Sequence, residues 1–461
     1  MVSRIEVGFK KGTKDALGES IKKRILEDLH INVESVRTIE VYTFDAGRSP
    51  QDLVLLGEKL FADPVIQVFS SKPLADDFSW LIEVGFKPGV TDNVGGTANK
   101  ASEDILKTTL KGVYFSRQYL IKGNITKEEV DKIAGGLLAN TLIERWVIIS
   151  TKEWDREKGV HLPLPVVRGK HKPSVSTLKL DVSDNELKEI SRQRLLALNL
   201  SEMKAIQKYF NKADVRKERE EIGLSLPTDV EIEVLAQTWS EHCKHKIFNS
   251  LITYTDEKGT KTINSLFNTF IKCATKEINK PWLVSVFTDN AGVIKFNDDY
   301  NLVMKVETHN TPSALDPYGG AITGIVGVNR DPLGTGMGAR LIFNTDVFCF
   351  ASPFYDKELP PRLLHPKRIF EGVRRGVEHG GNKSGIPTVN GCIVFDERYL
   401  GKPLVYCGTG GIMPSVINGK LSHIKELNPG DLIVMTGGRI GKDGIHGATF
   451  SSLELDENSP V

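Results

Sequence analysis

The stretch Leu302-Val-Met-Lys-Val-Glu-Thr-His-Asn-Thr311, with the glycine-rich run Tyr318 to Arg340 behind it, decides how this chain is read. Leu302, Val303, Met304 and Val306 predict a short buried strand. Successive strand side chains point to opposite faces, so Lys305, Glu307 and His309 fall on one face. Turns are predicted at Asn310-Thr-Pro312 and at Asp316-Pro-Tyr-Gly-Gly320, and Gly324, Gly327, Arg330 and Asp331 follow within a few residues. These residue types suit a phosphorylated ligand with a hard metal ion. Lys and Arg meet phosphate oxygens, Glu and Asp meet Mg2+, glycines let backbone N–H groups approach, and His moves a proton.

A Lys-x-Glu-x-His alternation is also the pattern of a solvated edge strand. The glycines beside paired charges argue against that simpler reading, because a solvated edge does not need them. The run is no Walker loop: Ile325-Val326 stand where Gly-Lys belongs, and no Gly-x-Gly-x-x-Gly follows a strand.

Working outward, 461 residues suffice for two to four domains. Apolar residues at 40% and charged residues at 26% are ordinary for a globular protein, and a net charge of +1 provides no broad field for nucleic acid or an anionic membrane. Neither is expected as a partner. The N-terminus lacks the apolar core of a signal peptide, and no apolar run reaches the roughly 18 residues of a membrane span, so a cytoplasmic location is expected. Five scattered cysteines without Cys-x-x-Cys spacing fit reduced thiols.

The first 150 residues contain a repeat. Ile5-Glu-Val-Gly-Phe9 recurs as Ile82-Glu-Val-Gly-Phe86, and Leu60 to Ile66 recurs as Leu137 to Ile143, both at an offset of 77. Each copy predicts strand, helix (Asp15 to Leu29 in the first), strand (Val36 to Phe44), helix and strand (Val65 to Phe69; Glu144 to Ile149). Paired in one chain, the copies would make an architectural unit without catalytic residues, as a homodimer does between chains. The proline-bearing segment Thr151 to Ser176 predicts a linker, and Asp184 to about Lys217 a polar helical spacer that docks on a neighbour.

After Pro227, Thr228-Asp-Val-Glu231 fits a capping box, opening a helix that carries Trp239-Ser-Glu-His-Cys-Lys-His-Lys246. His242 and His245 are then i,i+3 and His242 and Lys246 i,i+4, placing two imidazoles and an ammonium on one face. A zinc site from His242, Cys243 and His245 and a plain amphipathic helix end are both compatible with this spacing. Further on, Arg340 to Phe350 predicts a strand, Pro366 to His379 a helix ended by Gly380-Gly381, and Pro387 to Phe395 a strand. Leu421 opens a last region with a strand at Leu432 to Thr436 and a glycine- and charge-rich loop, Gly437 to Gly447. About 40 residues cannot bury a core of their own.

Thr238-Trp-Ser-Glu-His-Cys243, Lys305-Val-Glu-Thr-His-Asn310, Arg330-Asp331 and Asp443-Gly-Ile-His-Gly447 together resemble phosphoribosylformylglycinamidine synthase of purine biosynthesis. The duplicated N-terminal unit resembles that enzyme's small accessory subunit fused in tandem. The resemblance implies an α+β chain: accessory-like repeats over 1–76 and 77–150, a linker and helical spacer over 151–226, an aminoimidazole-ribonucleotide-synthetase-like ATP and substrate domain over 227–420, and the start of its C-terminal domain over 421–461. It implies an ATP-dependent carbon–nitrogen ligase, an amidotransferase synthetase converting formylglycinamide ribonucleotide and glutamine-derived ammonia to formylglycinamidine ribonucleotide through an iminophosphate. By motif position His242 and His309 would be catalytic, His245 and Lys305 would contact ATP, Thr308, Asn310, Thr311 and Arg330 the substrate, and Glu307 and Asp331 Mg2+. The common family pattern has histidine where this chain has Thr311 and tyrosine where it has His245. Full-length relatives continue past this point, so a C-terminal synthetase half is expected as partner. No glutaminase signature is present, so a glutaminase subunit or domain is expected to supply ammonia. Alternatives are another synthetase of the same ATP-binding superfamily, or a non-catalytic assembly module.

Overall fold

A computed structural model describes residues 2–141, 143–160, 162–166, 174–360, 363–437 and 447–450. They form two units, Met1–His171 and Lys172–Val461.

In the first unit the repeat is written into the backbone. Strand β1 (Ser3–Phe9), helix α1 (Ala16–Leu29), strand β2 (Ser35–Phe44), helix α2 (Pro50–Leu56) and strand β3 (Gln67–Ser70) recur as β4 (Trp80–Phe86), α3 (Asn93–Leu106), β5 (Val113–Lys122), α4 (Lys127–Ile133) and β6 (Glu144–Ser150). Even the caps repeat: the Asp15 carboxylate accepts from Gly18 N–H and that of Asp92 from Gly95 N–H, satisfying helix-end donors. The six strands lie in the order β3-β1-β2-β5-β4-β6, joined across the middle by the antiparallel β2–β5 pair. There Glu40 faces Arg117, 77 residues later, so the local twofold axis passes between them. An Arg117–Glu40 ion pair of 3.0 Å occupies it, an asymmetry that only a fused chain allows.

The face opposite the helices is covered by the chain's own Leu74, Phe78, Trp154 and Val160. Beneath lie two repeat-related carboxylates, Glu6 and Glu83, each almost fully buried. Arg4 bridges them at 3.0 and 2.6 Å, and Gln118 donates to Glu83 at 3.0 Å. None of the expected site residues is in this unit.

The second unit begins with α5 (Asp184–Gln193), α6 (Leu200–Phe210), α7 (Ala213–Glu221) and α8 (Asp229–Thr238). The expected single polar spacer is instead three short helices that build a core with α8 from Leu187, Leu196, Met203, Ile206 and Ile232. The capping box of Thr228 and Glu231 opens α8. A hairpin, β7 (Leu251–Asp256) and β8 (Gly259–Asn264), and a helix, α10 (Cys273–Ile278), lead on; between α8 and β7 lies α9 (Glu241–Lys244).

The second sheet has the order β13-β12-β14-β11-β10-β9, made of β9 (Leu283–Ser285), β10 (Gly292–Lys295), β11 (Tyr300–Thr308), β12 (Arg340–Phe350), β13 (Thr388–Phe395) and β14 (Leu404–Pro414). Strand β11 is therefore interior, not an edge. Its buried face lies under helices; on the other face Met304 and Val306 are half exposed, so the predicted strand is buried on one side only.

The glycine run corrects the sequence reading. Asn310–Leu315 and Pro317–Leu333 are helices, α11 and α12, where turns and a phosphate-approaching loop were expected. Helix α13 (Pro366–Ser384) lies against α12 and runs through Gly380-Gly381 to a left-handed cap at Gly385. The glycines serve helix contact. On α13, Gly372, Gly376 and Gly380 recur every four residues toward α12; a Cβ at 376 would meet the Tyr318 carbonyl oxygen at 2.5 Å. Such a seam costs helix propensity but lets two backbones approach. Ile325, Val328, Phe350, Val373 and Val405 fill the space between helices and sheet.

Residues 432–436, where a strand was expected, form no strand and are exposed. The Asp443 to His446 part of the recognised motif lies outside the described residues; Gly447 opens a short helix, Gly447–Phe450, against α8 and α9. Among the described residues no helix is long and apolar enough to cross a membrane.

Candidate functional site

Strand periodicity places Lys305 and Glu307 on the helix-covered face of β11, and α12 supplies what they meet. The Lys305 ammonium lies 2.8 Å from Asp331 on the last turn of α12, 3.6 Å from Glu307 and 3.1 Å from the carbonyl oxygen of Asn290. A cation is thus held between two carboxylates and a backbone oxygen. Asp331 is nearly buried, whereas the neighbouring Arg330 side chain is 83% exposed and reaches Asp331 only at 3.9 Å. Arg330 is directed to solvent.

His309 follows β11 directly, with its N–H bonded to the Val405 carbonyl at 2.8 Å. The His309 side chain packs on α12 at Gly324, where an added Cβ would stand 3.2 Å from the His309 Cβ and 3.4 Å from its Cγ; glycine makes that approach possible. Its Nδ1 is buried without a hydrogen-bond partner. Burial pushes the His309 pKa down, Glu307 opposes this, and the charge His242 would carry adds to the lowering. The neutral imidazole is favoured, the form able to take a proton. The His242 contribution couples the end of β11 electrostatically to a residue of α9, 67 positions earlier in sequence.

The route to that convergence differs from the expected continuous helix. Helix α8 stops at Thr238, the Ser240 hydroxyl caps the four-residue α9, and His245 is left-handed at φ 50°. Lys246 turns away to pair with Glu202 at 2.8 Å. His242, His245 and Lys246 therefore do not share a helix face, because the capping serine resets the helix. Among the described residues no cluster of three metal-ligating side chains exists, around Cys243 or elsewhere.

The remaining expected residues are less tightly gathered. Thr308 lies on the opposite face of β11 from Glu307. The Asn310 side-chain oxygen accepts from the Val405 N–H at 2.9 Å and holds α11 to β14, while Thr311 is half-buried on α11. His245 is exposed. A cavity of about 640 Å3 lined by Val284, Val286, Asp289, Ile424 and Lys425 contains none of the ten expected site residues.

Two contributors escaped sequence reasoning. Asn290 acts through its carbonyl, which no side-chain pattern reports. Across the sheet, Glu307 is registered with Cys407 and Cys407 with Asp346, a polar row running inward from the site. Burial raises the Asp346 carboxyl to about 6, against hydrogen bonds from Thr388, at 3.1 Å, and Cys407. Strand order, which local pattern does not contain, creates that row.

Comparison with known proteins agrees with this architecture. Residues 187–246 match the formylglycinamide ribonucleotide amidotransferase linker domain, and residues 288–413 the N-terminal domain of AIR synthase related proteins. Phosphoribosylformylglycinamidine synthase subunit PurL of Thermoplasma acidophilum is 38% identical over 275 residues, 60% of this chain and 32% of the relative. That of Salinibacter ruber is 34% identical over 233 residues, 50% of this chain and 26% of the relative. The structure of Thermotoga maritima PurL complexed with FGAR is 31% identical, covering 53% of this chain and 33% of that one at a TM-score of 0.34. The chain spans about a third of the length of the relatives it matches. With the linker model and the AIR-synthase-related model matching in succession and relatives 34–38% identical over half of the chain or more, this chain is similar to phosphoribosylformylglycinamidine synthase subunit PurL over the region that follows its duplicated unit.

Proposed function

We propose that this chain forms part of an ATP-dependent synthetase that converts formylglycinamide ribonucleotide and ammonia to formylglycinamidine ribonucleotide in cytoplasmic purine biosynthesis. The observation that carries the reading is the convergence of Lys305, Glu307 and Asp331 within 3.6 Å of one ammonium, beside an imidazole that senses His242. On this reading the amide oxygen of the substrate attacks the γ-phosphate of ATP, and ammonia then displaces phosphate from the iminophosphate. A glutaminase subunit or domain supplies the ammonia, and a further synthetase half completes the enzyme. The proposal keeps the expected division into accessory-like repeats (1–76, 77–150), linker (151–226), synthetase domain (227–420) and the start of a following domain (421–461).

The oxygen donors of Glu307 and Asp331 fit Mg2+, which is commonly held by one or two carboxylates together with substrate phosphates. They already accommodate a positive charge in the form of Lys305. When bound there, Mg2+ offsets negative charge on the phosphoryl oxygens. Lys305 swings from the carboxylates to a phosphate oxygen, with His245 as the second ATP contact. Neutral His309 accepts a proton at its imidazole nitrogen as the amide and ammonia exchange protons, and His242 works beside it. Thr308, Asn310, Thr311 and Arg330 are assigned to the substrate. Exposed Arg330 is free to reach a phosphate, whereas Asn310 has only its remaining amide group to offer.

Phosphate release in ATP, Mg2+, formylglycinamide ribonucleotide and ammonium tests this, with the chain alone and with a polypeptide supplying the rest of the relatives' length. Substrate-dependent release that Lys305→Ala and His309→Ala abolish is expected in the mixture. Release that survives both substitutions, or none from a folded, complete mixture, refutes the proposal.

A further inference from the structure

Phe287 lies three residues before Asn290, whose carbonyl oxygen meets Lys305, and its backbone is strained. Its backbone is left-handed, at φ 61°, a conformation a bulky L residue rarely adopts and glycine adopts freely. Core packing does not account for it, because the residue is 45% exposed. Among the described residues its ring meets that of Phe267, centroids 5.2 Å apart and planes at 88°. An edge-to-face pair of this kind leaves a face of Phe287 uncovered.

The surroundings hold that ring in place from both sides. A hydrogen bond of 2.8 Å between the Ser285 and Thr288 hydroxyls closes the turn around it. Asp289 is anchored by Lys425 at 2.6 Å and by Gly336 N–H at 2.9 Å, and the next residue, Asn290, gives its carbonyl oxygen to Lys305. Three residues span at most about 11 Å, so the backbone of Phe287 lies within that reach of the backbone of Asn290. On the other side, Phe267 N–H donates to Phe248 O at 3.1 Å, and the adjacent Asn249 donates to His245 O at 3.2 Å. The ring is therefore linked to both residues assigned above to ATP, Lys305 and His245.

We propose that Phe287 is the stacking platform for the purine base of the nucleoside triphosphate whose phosphates Lys305 contacts. This rests on the nucleotide site proposed above. Every base has a π-face, and an aromatic side chain fixed in advance offers a flat apolar surface for it. A strained backbone that holds an exposed ring three residues from the carbonyl partner of Lys305 fits that task.

The test is calorimetric binding of Mg·ATP and of Mg·tripolyphosphate, which lacks a base, to the full chain and to Phe287→Gly, Phe287→Tyr and Lys305→Ala. Glycine suits φ 61°, so Phe287→Gly removes the ring while relieving the backbone. ATP affinity is expected to fall roughly ten-fold or more in Phe287→Gly, the scale of one base–aromatic contact, with thermal stability and tripolyphosphate affinity unchanged. Phe287→Tyr should keep ATP affinity, and Lys305→Ala should weaken both ligands. Equal ATP affinity in Phe287→Gly and the unmodified chain overturns the stacking role alone. Failure of the unmodified chain to bind ATP refutes the nucleotide site itself, and the stacking role with it.

Discussion

Gly376 and Gly381 lie on the same helix, five residues apart, and the packing of α13 on α12 predicts opposite outcomes for the same substitution. In an unconstrained helix, Gly→Ala is stabilising by roughly 1 kcal/mol, because alanine loses less backbone entropy on folding. At Gly381 the new Cβ would meet only the Ile386 carbonyl oxygen, at 3.7 Å, an ordinary contact. Gly381→Ala should therefore gain about 0.5–1 kcal/mol. At Gly376 the Cβ would stand 2.5 Å from the Tyr318 carbonyl oxygen and 2.9 Å from the Ala321 Cβ. Tyr318 contributes backbone and Ala321 is fully buried, so no flexible side-chain end can yield and the helices must part. Overpacking of this kind costs about 1–3 kcal/mol, which meets or exceeds the propensity gain, and we expect a net loss of up to about 2 kcal/mol. Urea unfolding of the full chain, followed by circular dichroism together with hydrogen exchange of the α13 amides, measures both. Stabilisation by Gly376→Ala as large as that by Gly381→Ala would show that the glycine seam is not a close-packing device.

Three further outcomes follow from buried charge. Arg4→Leu, which copies the repeat-related Leu81, leaves Glu6 and Glu83 buried without their shared cation and should cost about 3–5 kcal/mol. The fluorescence of Trp80, Trp146 and Trp154 reports it, and a loss below about 1 kcal/mol would be inconsistent with a buried bridge. Asp346 has a folded pKa of about 6 against an ordinary 3.8. As pH rises, the unfolded chain therefore ionises first, and stability falls between about pH 4 and 6 by on the order of 3 kcal/mol. Asp346→Asn should flatten that slope and be the more stable form at pH 7; an unchanged slope would assign the dependence elsewhere. For His309, an NMR titration should show a midpoint below that of an ordinary histidine, moved further down by Glu307→Gln and up by His242→Ala. A midpoint indifferent to His242→Ala would mean that the two imidazoles do not share a site.

The sequence by itself determined the features that depend on near neighbours. Period-two alternation put Lys305 and Glu307 on one face of β11, the capping box opened α8, and the offset of 77 announced a doubled unit whose caps recur at Asp15 and Asp92. Local pattern misled where a residue's use depends on a distant partner. The glycines of 318–340 signal backbone approach, but only the packing of α12 shows that His309 and helix α13 are among the groups that approach them. Trp239 to Lys246 carries helical spacing, yet the Ser240 cap and the Lys246–Glu202 pair break it. Tertiary structure alone decided that Asp331 and the Asn290 carbonyl hold Lys305, that His242 acts electrostatically on His309, and that Asp346 lies two strands from Glu307. Alternation and capping act over a few residues and leave their mark in composition and spacing. Strand order and helix docking arise from burial of the whole apolar surface, to which each residue contributes without recording its partner.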